Sequence, residues 1–183
     1  MEVYIRESRF TVLLNYSPDQ EAEVSKALKK VLDDLVLQQT MFPDVRFTLA
    51  LGNPQEKLDA IHISADEAWQ ACCQRLLSTG PRIIPPQALQ TPHEDISPLL
   101  LAWSGSLPRI LEALDAQEAS QCAEELSTGL LAIPDIMGVH ILQTLLQAWQ
   151  AFRSLALTMH PALLSILPEE AAFSSGLDLN PSA

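Results

Sequence analysis

The chain has 183 residues, 48% of them hydrophobic, and a formal charge of −12. That much apolar material fills one good core or two small ones and excludes disorder of the whole chain. The acidic surplus repels phosphate backbones and anionic lipid, whose binding depends on Lys and Arg, and so argues against direct nucleic-acid or membrane-surface binding by this stretch.

In chain order, Glu2 to Arg6 and Phe10 to Tyr16 are rich in β-formers, with a tight turn at Glu7-Ser8, and predict a hairpin whose second run, Phe10 to Leu14, is a buried strand. Ser17-Pro18-Asp19-Gln20 then combines a capping serine, a proline suited to the first helical position and a glutamine that can return a hydrogen bond. It predicts a helix with Val24, Leu28, Val31, Leu32 and Leu35 as its apolar stripe. After Pro43-Asp44, Val45 to Leu51 alternates apolar and small or polar residues as a strand does, closed by Gly52-Asn53-Pro54. Ser64 with Glu67 reads as a second capping box opening a helix that Gly80-Pro81 stops, and Arg82-Ile83-Ile84 reads as a short edge strand.

Four prolines between 85 and 98 mark a linker and the expected domain boundary. Beyond it the pattern is helical. Leu107, Ile110, Leu111 and Leu114 form one stripe, Asp115 and Glu118 form a third capping box, and Ala119, Ala123, Leu126 and Leu130 follow. The longest helix is expected after Pro134-Asp135. Its apolar positions, from Ile141 to Ala156, spread around more than one narrow stripe, which predicts the central helix of the second lobe or an interface. The expected organisation is therefore an α+β unit over 1–84, a linker over 85–98, a helical lobe over 99–172 and a disordered tail over 173–183.

Targeting signals are not evident. The segment Ile141 to Leu157 is interrupted by Gln143, Gln147, Gln150 and Arg153, where a membrane span needs roughly 20 nearly unbroken apolar residues. Charged residues from Glu2 to Arg9 leave no apolar signal core, so a cytoplasmic location is expected. Cys72 and Cys73 are neighbours and Cys122 stands alone, which fits a reducing compartment rather than a disulfide framework.

Chemistry-bearing patterns are equally sparse. His62, His93, His140 and His160 lack metal-ligand spacing, and Cys72 and Cys73 sit about 100° apart on a helix. The free thiols read as small core hydrophobes, and His140 as a hydrogen-bonded interior histidine. Ser104-Gly105-Ser106 lies between helical stretches rather than at a strand-to-helix elbow, and no phosphate-cradling glycine loop occurs. The pairs Asp33-Asp34, Glu124-Glu125 and Glu169-Glu170 read as solvated faces. No catalytic residue, metal ligand or cofactor is expected. Trp69, Trp103, Trp149 and Phe152 are the candidates for an interface or effector pocket, because aromatic residues dominate binding hot spots, although their register favours core positions.

The run Val3 to Leu14 resembles the central hairpin of the GGDEF domain, the fold of diguanylate cyclases. Val45 to Gly52 is similar to that family's next strand, and Ser64 to Ala71, Gly80 and Ile83-Ile84 to its following helix, glycine and last strand. The resemblance implies a partial GGDEF-like antiparallel or mixed sheet in the order ββαβαβ. The signature turn appears here as Arg6-Glu7-Ser8-Arg9-Phe10, where Ser8 and Arg9 replace the acids that serve metal and catalysis, so the resemblance implies a degenerate, inactive version. The strand and two helices that precede this hairpin in such a domain have no counterpart ahead of Val3, so the resemblance implies completion by residues not included here, by another chain or by the helical lobe. Leu107 to Phe152 is similar to the helical connector that follows such domains in AraC-type bacterial regulators. By that likeness the chain would be a signal-relay module forming a homodimer, reaching DNA only through a helix-turn-helix not included here. The alternatives are an effector-binding domain with an apolar pocket at the lobe junction near Trp103 and Trp149, and an adaptor whose long helix docks a partner.

Overall fold

The first β-formers in the chain pair with each other. In the computed structural model, which describes residues 2–6, 9–41, 47–77, 82–86, 95–168 and 173, Glu2–Arg6 (β1) and Arg9–Leu13 (β2) form an antiparallel ladder from Glu2↔Leu13 to Arg6↔Arg9. The expected turn residues Glu7 and Ser8 lie outside the described residues. Strand β2 is not buried as the run of apolar residues suggested. Phe10 is 69% and Val12 47% exposed, because the sheet stops at two strands and no described element covers that face.

Ser17 starts the next element as its sequence predicts. Its N–H donates to Gln20 Oε1 at 3.1 Å, closing the return half of a capping box, and Pro18–Gln20 form a 3-10 turn that runs into α1, Glu21–Gln38. Leu32 is the buried anchor of its stripe, while Val31 turns outward. Strand β3 is Thr48–Ala50, shorter than the expected Val45 to Leu51, whose first two residues, with Pro43-Asp44, fall outside the described segment. It pairs in parallel with β4, Arg82–Ile84, and Leu51 N–H adds a bond of 2.9 Å to the Ile84 carbonyl. Pro85 and Pro86 follow and offer no N–H, which limits the ladder to this length.

Helix α2, Ile61–Cys73, connects the two parallel strands and packs on β3; a 3-10 turn, Leu58–Ala60, leads in and another, Gln74–Leu76, leads out. The helix therefore opens earlier than the Ser64 cap predicted. Ser64 sits one turn inside, and Glu67 instead accepts the Asn53 N–H at 2.7 Å, tying the loop after β3 to the helix. Gly52 belongs to the same joint: a Cβ there would overlap the Ser64 carbonyl, so only glycine fits. The order ββαβαβ is as expected, but the strands form two separate two-stranded sheets, one antiparallel and one parallel, rather than one mixed sheet. The α+β assignment holds in a helix-rich form. Gly80-Pro81 lies outside the described residues.

The chain divides into two compact units, Met1–Ala88 and Leu89–Leu177. Most of the expected linker, 87–94, is outside the described residues. In the second unit Asp95 Oδ1 accepts the Ser97 N–H at 2.9 Å, and α3 spans Ser97–Ala113 with Pro98 in its first turn. Ser104 to Ser106 is thus helical rather than a break. Ser104 and Ser106 hydroxyls donate back to the Leu101 and Trp103 carbonyls, which lets serine sit mid-helix, and the helix runs on through Pro108.

Leu107, Ile110 and Leu111 are buried, whereas Leu114 ends the helix in the left-handed region at φ 51° and is 72% exposed, so it leaves the stripe. Asp115 caps α4, Ala116–Ala132, by accepting from Gln117 and Glu118 N–H at 2.9 and 3.1 Å. Leu126 and Leu130 point inward; Ala119 and Ala123 face solvent.

After a connection in which Ile133 and Ile136 are buried and Pro134 and Asp135 exposed, the longest helix, α5, spans Gly138–Met159 and buries its first half most fully. The helix that packs closely on both neighbours is α3, not α5. His160, at the end of α5, donates from Nε2 to the Leu111 carbonyl at 3.3 Å and ties the two helices together. Among the described residues, no helix is long and apolar enough to cross a membrane. The tail beyond Phe173 lies outside the described residues.

Candidate functional site

The four aromatic candidates fall in three places. Trp69 is half-buried on α2, and the Arg75 guanidinium lies 5.9 Å from its ring centroid, a cation–π contact that anchors the C-terminal end of that helix. Trp149 and Phe152 share one face of α5 with ring centroids 5.6 Å apart, and Phe173 stacks on Trp149 at 4.7 Å. Trp149 Nε1 and, one turn on, Arg153 Nε are buried without a hydrogen-bond acceptor. Trp103, on α3, faces α4.

The groove beside Trp103 does not include Trp149. It is lined by α3 and α4 residues, and the indole of Trp149 is occupied by its own aromatic neighbours.

That α3–α4 groove encloses about 260 Å³. It is assembled in levels along the two helices. Arg109 pairs with Glu118, Ser106 Oγ meets Cys122 Sγ at 3.0 Å, and Leu99 lies where a Cβ on Gly129 would press against its methyl groups. Each step of three to seven residues back along α3 is answered by a similar step forward along α4. Ile110 and Leu126 form a buried floor, and the rim carries Gln121 and Glu125, joined by a bond of 2.9 Å from Gln121 Nε2 to Glu125 Oε1.

Sequence reasoning missed this groove because its residues read as bland singly: Cys122 as a core thiol, Glu124-Glu125 as a solvated pair, Ser104 to Ser106 as a break. The legible signal was the Asp115 cap, which fixes where α4 starts and hence which of its residues face α3.

The described histidines, His62, His140 and His160, each make a hydrogen bond with the backbone. Met137 N–H reaches His140 Nδ1 at 3.4 Å, and burial pushes the His140 imidazole below its ordinary pKa, favouring the neutral ring that can accept that bond. His62 Nδ1 bonds the Asp59 carbonyl at 2.8 Å. Cys73 is buried and Cys72 half-buried. Among the described residues, no group of three His, Cys, Asp or Glu side chains is placed to hold a metal ion. Comparison with protein-family models, with curated proteins and with solved structures finds no match to this chain.

Proposed function

We propose that this chain is a non-catalytic regulatory module of an AraC-type bacterial transcription regulator, a degenerate GGDEF-like unit joined to helices that relays a signal in the cytoplasm by self-association. The observation that carries the reading is the uncovered face of the hairpin. Phe10 and Val12 alternate on one side of β2, both substantially exposed, on a two-stranded ladder whose edges have no described partner. An isolated hairpin is marginal in water, and exposed apolar residues beside open strand edges favour association with another chain.

Two further features support it. The element order is that of the GGDEF-like pattern, and Arg6 and Arg9 stand where the cyclases place a glycine and an acid, with Phe10 in the place of the signature phenylalanine. The charge of −12 argues against DNA contact by this chain itself, in keeping with a relay role.

The test is paired. Light scattering of the purified chain should give a mass that rises with concentration towards a dimer, and incubation with GTP and magnesium should yield no cyclic dinucleotide. Nucleotide turnover would reject the non-catalytic assignment; a concentration-independent monomer would reject the relay by self-association.

A further inference from the structure

The levels of the α3–α4 seam define a position that none of its own pairs fills. Three residues before Ser106 is Trp103, and three residues after Cys122 is Glu125, so the register that joins Ser106 to Cys122 brings Trp103 and Glu125 to one level of the same groove. Arg109, the cation nearest in the lining, is already engaged by Glu118. Glu125 accepts one bond, from the neutral amide of Gln121, and no Lys or Arg among the described residues pairs with it.

The surrounding field has the same sign. Residues 89–177 contain only Arg109 and Arg153 as basic side chains, in a chain whose charge is −12. An anionic ligand would meet net repulsion here. A metal ion would find one uncommitted carboxylate where it needs several converging oxygens.

A protonated amine meets all three features of the groove. Its ammonium pairs with a carboxylate, is attracted to the face of an indole, and leaves an apolar stem to lie on an apolar floor. The groove is also bounded. The Arg109–Glu118 pair closes one end and Leu99 against Gly129 the other, ten residues apart along α3, or about 15 Å. A molecule of limited length fits such a space better than a continuous peptide.

We propose that the α3–α4 groove binds a small organic amine, its ammonium held between the Glu125 carboxylate and the Trp103 indole and its stem over Ile110 and Leu126. The site lies within one chain and does not depend on self-association, so each stands or falls by its own measurement.

The probe is phenethylamine, titrated against the full chain while the indole N–H resonances are followed by NMR. Trp103→Phe identifies the Trp103 signal. The expected result is a saturable shift of that signal, weakened at least tenfold by Glu125→Gln and unaffected by Glu124→Gln on the neighbouring exposed position. Phenylacetate, of similar shape and opposite charge, should leave the signal in place. Retention of all other resonances in Glu125→Gln shows that the variant is folded. No shift with phenethylamine, equal binding to Glu125→Gln, or equal binding of phenylacetate would each overturn the proposal.

Discussion

The hairpin and the helical unit both carry apolar residues at the spacing of a packed face, and they use them differently. In the helical unit Leu107, Ile110, Leu126, Leu130, Ile141 and Leu142 come from three helices and bury one another. In the hairpin Phe10 and Val12 have the right alternation and stay exposed. The difference lies in partners. The helices are joined in sequence by short connections that bring their stripes together, while the hairpin is followed by the polar, exposed segment Ser17 to Glu23. Periodicity specifies which residues share a face; what covers that face depends on residues far away in the chain, or in another chain.

Breaking the helical core should have the largest effect. Leu130 is 1% exposed, and Leu130→Ala should cost about 2–5 kcal/mol in urea unfolding followed by far-UV circular dichroism. A loss below about 1 kcal/mol would mean the core is not closed as described. Next is the joint of the first unit. Gly52→Ala sets a methyl group against the backbone carbonyl of Ser64, which cannot swing aside as a side chain can, and should cost about 1–3 kcal/mol read through Trp69 emission. No loss would show that this joint is looser than its geometry.

Smaller effects separate the two ends of the α3–α4 turn. Asp115→Ala removes a cap that satisfies two N–H groups and should destabilise by about 1 kcal/mol. Leu114→Gly should act in the opposite direction, by about 0.5–1 kcal/mol. An exposed leucine at φ 51° bears a left-handed strain that glycine does not, less what glycine adds to the entropy of the unfolded chain. Both are read from thermal unfolding, and equal signs would contradict the cap assignment.

These elements also mark what the sequence made legible. Local chemistry was readable: Ser17-Pro18-Asp19-Gln20 starts a helix, Asp115 caps one, and Arg82-Ile83-Ile84 is a strand. Non-local matters were not. Ser64 and Glu67 carry the spacing of a cap, yet Glu67 is recruited by Asn53, fourteen positions away. Ser104-Gly105-Ser106 reads as a gap between helical stretches, yet the serines bond back to the preceding turn and the helix continues. The candidate groove was hidden for the same reason. Trp103 and Glu125 acquire a common level only once two helices have packed in register, and no spacing along the chain announces it.

Analytical ultracentrifugation of the wild-type chain beside Phe10→Ser tests the open hairpin face most directly. Phe10 is exposed in the single chain, so the substitution should change its unfolding free energy by no more than about 0.5 kcal/mol. The wild type should form a concentration-dependent dimer whose dissociation constant rises at least tenfold in the variant, a loss of about 1.4 kcal/mol in association. A wild-type chain that stays monomeric, or a dimer indifferent to Phe10→Ser, would contradict the account.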